Sequence, residues 1–87
     1  MKTFRYTIQD PLGIHARPAG LLSKEAKQYL STITVSNNDS VPGVDVRRLM
    51  AIMGLCIKGG DTVLVSAEGQ DEDTAIDGIK AFFENNL

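Results

Sequence analysis

A chain of 87 residues with 43% hydrophobic and 23% charged residues has the composition expected of one folded globular domain, residues 1–87. Its net charge of −2 gives no general basic field, so nucleic-acid binding is not expected. Cys56 is the single cysteine, which excludes an internal disulfide framework and leaves too few ligands for structural zinc; neither a metal nor a cofactor is expected.

The opening residues, Met1 to Tyr6, lack the apolar run of a secretory signal. No segment approaches membrane-spanning length, so the expectation is a cytoplasmic protein without membrane insertion. Thr3 to Ile8 alternates, with Phe4, Tyr6 and Ile8 on one side, which predicts a half-buried strand. Asp10-Pro11-Leu12-Gly13 predicts a turn. A helix is predicted from about Ala16 to Tyr29, because Ala19, Leu22, Ala26 and Tyr29 follow helical spacing. Pro18 falls in its first turn, where a missing N–H costs no intrahelical bond.

Thr32 to Val35 predicts a second strand, followed by a turn over Asn37-Asn38-Asp39-Ser40. A weaker third strand is predicted near Val41 to Val46, at a sheet edge because Pro42 cannot donate a ladder hydrogen bond. Arg47 to Leu55 predicts a short helix with Leu49, Met50 and Met53 available for packing, and Cys56 is expected to be a buried small hydrophobe. Gly59-Gly60-Asp61 predicts a turn, Thr62 to Ala67 a fourth strand, and Asp71 the start of a last helix. Asp71, Glu72 and Asp73 suit the positive end of that helix, and Ala75, Ile79, Phe82 and Phe83 supply its buried stripe. The order βαββαβα has connections too short for repeated parallel crossovers, so an α+β domain with antiparallel strands is expected.

The chemistry lies in Gly13-Ile14-His15-Ala16-Arg17-Pro18-Ala19. With His15 as N-cap, the amides of Ala16 and Arg17 lack intrahelical acceptors and form an anion site at the positive helix end. The Arg17 guanidinium suits phosphate oxygens, and Gly13 permits tight backbone geometry beside the ring. A neutral imidazole is a competent nucleophile near pH 7, and phosphoryl transfer mainly requires alignment and charge stabilisation. His15 as a mere helix cap is the plain alternative.

This segment resembles the active-site motif of the HPr family, the histidine phosphocarriers of the phosphoenolpyruvate-dependent sugar phosphotransferase system. The resemblance extends through Lys24-Glu25-Ala26-Lys27, Leu49-Met50-Ala51-Ile52-Met53-Gly54-Leu55, Gly60-Asp61-Thr62-Val63 and Ser66-Ala67-Glu68-Gly69-Gln70-Asp71-Glu72, in family order over nearly the whole chain. It implies an open-faced β-sandwich: a four-stranded antiparallel sheet with three helices on one face. It also implies transfer of a phosphoryl group from enzyme I to Nδ1 of His15, with Arg17 assisting, and onward to an enzyme IIA in sugar uptake. The protein would then be a phosphoryl carrier rather than an enzyme, and a monomer. Ala16, Arg17, Gly20, Lys24, Lys27, Leu49 and Met50 would form the partner-docking face. A regulatory paralogue that signals its phosphorylation state to a target is the alternative. Two positions depart from the family pattern. Arg48 stands where members commonly carry a regulatory serine, so control by a serine-specific kinase is not expected. Leu12 replaces a small polar residue that can reach the active-site ring.

Overall fold

The computed structural model describes residues 1–37 and 43–87. Its elements are β1 (Lys2–Thr7), α1 (Ala16–Ala26), β2 (Thr32–Asn37), β3 (Val44–Asp45), α2 (Leu49–Gly54), β4 (Thr62–Glu68) and α3 (Glu72–Asn86). The βαββαβα order of the sequence reading is therefore observed. Asn37, read as the first turn residue, continues β2 instead. The rest of that turn, with Val41 and Pro42, lies outside the described residues.

The sheet is antiparallel throughout, in the order β1-β4-β2-β3. Period-two alternation sets its register. Phe4 pairs with Val65, Val65 with Val35, and Val35 with Val44, so one apolar row crosses all four strands. A second row joins Ala67 to Ile33. Val63, Val65, Ala67, Ile33 and Val35 share the core with Ala19, Leu22 and Ala26 of α1, Ile52 of α2, and Ala75, Ile79 and Phe83 of α3. Phe83 is fully buried, and its ring meets the edges of Phe4 and Tyr6 at centroid distances of 5.6 Å each. Such edge-to-face pairs add about 0.5–1.5 kcal/mol beyond burial. The opposite strand positions, such as Thr3, Arg5 and Thr7, are exposed, so the sheet is covered by helices on one side and open on the other.

Three expectations are corrected. The first helix ends at Ala26, not Tyr29, because the chain tightens there: the amides of Gln28 and Tyr29 reach back only three residues, to Glu25 and Ala26. Tyr29 still packs against the core, and its hydroxyl donates to Glu25 Oε2 at 3.1 Å. In α2, Met50 and Met53 are not core residues. A six-residue helix turns little of its surface inward, and Ile52 takes the buried position, leaving Met50 78% and Met53 37% exposed. Cys56 is exposed rather than buried, with φ +53°, immediately past the C-cap Leu55. Helices commonly end in this left-handed conformation, usually with glycine, because it turns the chain away from the helix axis.

Asp71 has a different role from simple attraction to a helix end. It is the N-cap of α3, but its carboxylate accepts from the amides of Leu30 and Ser31, each at 2.9 Å, and from the Ser31 hydroxyl. These bonds tie the entrance of β2 to the start of α3. The Ser31 hydroxyl, then the Leu30 amide, hold the Asp71 carboxyl below the ordinary carboxylate range.

Candidate functional site

The loop between β1 and α1 is held from three directions. Asp10 Oδ1 accepts from the Leu12 amide at 2.9 Å, an Asx turn, and the Asp10 carbonyl accepts from the Gly13 amide at 2.9 Å. The Ile14 amide donates to the Ile57 carbonyl at 3.1 Å. The amides of Gln9 and Asp10 donate to the Leu87 carbonyl at 2.6 and 2.8 Å. Gly13 makes the close approach possible: it has φ +70°, and a Cβ there would lie 2.1 Å from the Ile57 oxygen. Ile14 is buried, which anchors the residue preceding the site.

His15 is the N-cap of α1, in extended backbone conformation and with no side-chain capping bond. Its ring is therefore not consumed by the helix end. The side chain is 37% exposed, and Nε2 lies 3.6 Å from Asp10 Oδ2. The Ala16 and Arg17 amides have no acceptor within the helix, Pro18 has no N–H, and the Ala19 amide closes the first helical bond to the His15 carbonyl at 3.0 Å. Two amides are thus left beside the imidazole at the positive end of α1. His15, Arg17 and Pro18 line an open cleft of about 300 Å³ together with Asp10, Leu21 and Asn86. A partly exposed nucleophilic ring and the Arg17 side of one cleft, at a helix start whose first two amides have no helical acceptor, suit the reception of a small anionic group from another protein.

The family model described as the PTS HPr component phosphorylation site matches residues 2–85. The chain belongs to the HPr family. It is 38% identical over 86 residues to the phosphocarrier protein HPr of Mycoplasma genitalium, covering 99% of this chain and 97% of that protein. Among solved structures, a Mycoplasma histidine-containing phosphocarrier protein superposes with TM-score 0.89 at 36% identity, covering 97% of this chain and 93% of the other. HPr-C-His from Thermoanaerobacter tengcongensis gives the same TM-score at 35% identity, with coverages of 98% and 93%. As an HPr, the chain is a phosphocarrier protein of the phosphotransferase system and not an enzyme, and it interacts with enzymes of that system.

The remaining site residues of the sequence reading fall on two helices. Ala16, Arg17, Gly20, Lys24 and Lys27 recur at near-helical spacing along α1 and its C-cap, and all but the half-buried Gly20 are exposed. Leu49 and Met50, 38% and 78% exposed, open α2. The two helices pack together, and Ser23 Oγ of α1 donates to the Arg47 carbonyl at 2.8 Å just before α2. Arg47 folds back on Asp45 in a two-pronged contact, Nε to Oδ1 at 3.1 Å and Nη2 to Oδ2 at 2.7 Å. Those side-chain bonds hold the Asp45 carboxyl below its usual range. Arg48 is the exposed N-cap of α2, with no side-chain capping bond. Leu12 is 71% exposed, and the Asp10 carboxylate lies 3.6 Å from the His15 ring. Sequence reasoning treated Asp10 only as a turn residue and did not single out Leu21 or Asn86. An Asp-Pro step announces a turn, but the return of its carboxylate onto a ring five residues later leaves no periodic mark in the sequence.

Proposed function

We propose that His15 carries the phosphoryl group, on Nδ1. In this reading the Ala16 and Arg17 amides and the Arg17 guanidinium stabilise the added charge. The carrying observation is that the only histidine of the chain stands at the start of α1, partly exposed in the cleft shared with Arg17. The donor is enzyme I, charged from phosphoenolpyruvate, and the acceptor is an enzyme IIA in sugar uptake. Both dock on the face carrying Ala16, Arg17, Gly20, Lys24, Lys27, Leu49 and Met50. An apolar centre from α2 with a lysine rim from α1 supports transient, charge-steered association.

Residues 1–87 form one domain in this reading, acting as a monomer in the cytoplasm and without a regulatory serine, since Arg48 has no hydroxyl to accept a phosphoryl group. Among the described residues no helix is long and apolar enough to cross a membrane. No observation favours the regulatory paralogue over the carrier.

Incubation with phosphoenolpyruvate and enzyme I, followed by intact mass measurement, tests the reading. One acid-labile phosphoryl group is expected on the wild-type chain and none on His15→Ala. Labelling of the His15→Ala variant, or a label that no enzyme IIA can discharge, overturns it.

A further inference from the structure

We infer that Asp10 is a positioning residue: its carboxylate holds the His15 imidazole in the tautomer protonated at Nε2, so that Nδ1 presents a lone pair to the phosphoryl donor. This rests on the reading of His15 as the acceptor and adds a residue to it.

Asp10 is immobilised on every side but one. Its amide donates to Leu87, its carbonyl accepts from Gly13, and its Oδ1 accepts from Leu12. Gly59 packs so closely behind it that a Cβ there would stand 2.6 Å from the Asp10 carbonyl oxygen. The remaining atom, Oδ2, lies 3.6 Å from Nε2 of His15. That distance is ion-pair reach, longer than an N–H···O hydrogen bond, and contacts of this kind commonly close only when the reacting partner arrives. An ionised carboxylate can only accept, so the ring nitrogen beside it is favoured to carry the proton. The two side chains are 28% and 37% exposed, which keeps part of the water away from the pair. Among the described residues no hydrogen bond engages Nδ1, so its lone pair is unobstructed in this tautomer.

The transfer balances without moving a proton. The donor is a phosphohistidine on the partner enzyme. The Nδ1 lone pair forms a bond to phosphorus as the donor's P–N bond breaks and its electron pair returns to the donor imidazole. The proton on Nε2 stays in place, and the His15 ring gains the positive charge. Asp10 faces that charge on one side of the ring, while the phosphoryl oxygens meet the helix amides and Arg17 on the other. Onward transfer reverses each change. The opposite tautomer blocks Nδ1 and requires a proton shift first.

Asp10→Asn is the discriminating variant. Its side-chain oxygen can keep the Leu12 amide, but an NH₂ donor then faces Nε2 and demands the lone pair there. Long-range ¹H–¹⁵N NMR of the neutral His15 ring, with a melting curve as a fold check, reads the tautomer directly. The wild-type ring is expected to be mainly protonated at Nε2, and Asp10→Asn to shift it towards Nδ1. The maximal rate of phosphorylation by enzyme I is expected to fall on the order of tenfold at an unchanged half-saturating concentration. If Asp10→Asn fails to fold, Asp10→Ser keeps an oxygen for the Leu12 amide and should relax the tautomer ratio towards that of a free histidine side chain. A wild-type chain that takes no phosphoryl group overturns the assignment of His15. A chain that is labelled normally, with tautomer and rate unmoved by the folded variant, overturns the role of Asp10 alone.

Discussion

Gly13→Ala offers the sharpest check on how the fold holds His15. The residue has φ +70°, a conformation that costs a residue bearing a Cβ about 1–2 kcal/mol. The new methyl would also stand 2.1 Å from the Ile57 oxygen and 2.6 Å from Lys58 Cα, both backbone atoms that cannot rotate away. Relief requires the 57–58 segment to recede, which breaks the Ile14 to Ile57 hydrogen bond and costs about 1 kcal/mol more. The sum is roughly 2–3 kcal/mol, or a fall in Tm on the order of 10–20 °C for a domain of this size. Gly20 is the internal control. It lies inside α1, and a Cβ there would meet nothing within 4 Å. Gly20→Ala should therefore stabilise the helix by about 0.5–1 kcal/mol. Thermal melts followed by circular dichroism compare the two. A Gly13→Ala protein that melts at or above the wild-type temperature, or two alanines that shift Tm in the same direction, would refute the claim that contact with Ile57 positions the loop.

Cys56→Gly should raise stability by about 1 kcal/mol, read as a higher urea midpoint, because it relieves a side chain held at φ +53° on an exposed turn. Asp71 predicts a pH dependence. Its folded-state pKa is depressed, so the stability it supplies is present above the unfolded value of about 3.9 and is lost as pH falls through the folded value. Asp71→Asn should therefore melt lower than wild type at neutral pH, and the two curves should converge in strong acid; a constant gap counts against the Ser31 and Leu30 contacts as its source. Met50→Asp, at a position 78% exposed, should leave Tm within about 0.5 kcal/mol equivalent of wild type while slowing phosphorylation at limiting enzyme I. Unchanged kinetics would remove Met50 from the docking face.

Much of this molecule was readable from the order of its residues. Alternation at Phe4, Tyr6 and Ile8 and at Val63 and Val65 defined strands, because a pleated chain turns successive side chains to opposite faces. Spacing at Ala19, Leu22 and Ala26 defined a helix for the matching reason. Pro18 and the acidic run at Asp71 marked helix starts through local valence and charge, and the Gly-x-His-x-Arg-Pro segment marked the candidate site. Each of these signals acts over a few residues and so survives in a linear string.

Where chain segments far apart in sequence meet, local pattern had less to say. Ile52 rather than Met50 or Met53 faces inward because the rest of the core leaves one place for a six-residue helix on the sheet. Cys56 is turned outward by the reversal of the chain after that helix. Asp71 serves Ser31, 40 residues earlier. Asp10 reaches His15 only because Ile57, Gly59 and Leu87 fold around their shared loop. Amino-acid order determined which groups were present and which elements they would build. Tertiary packing decided which of those groups face one another, because side-chain contacts across the core depend on closures of the chain that local periodicity does not encode.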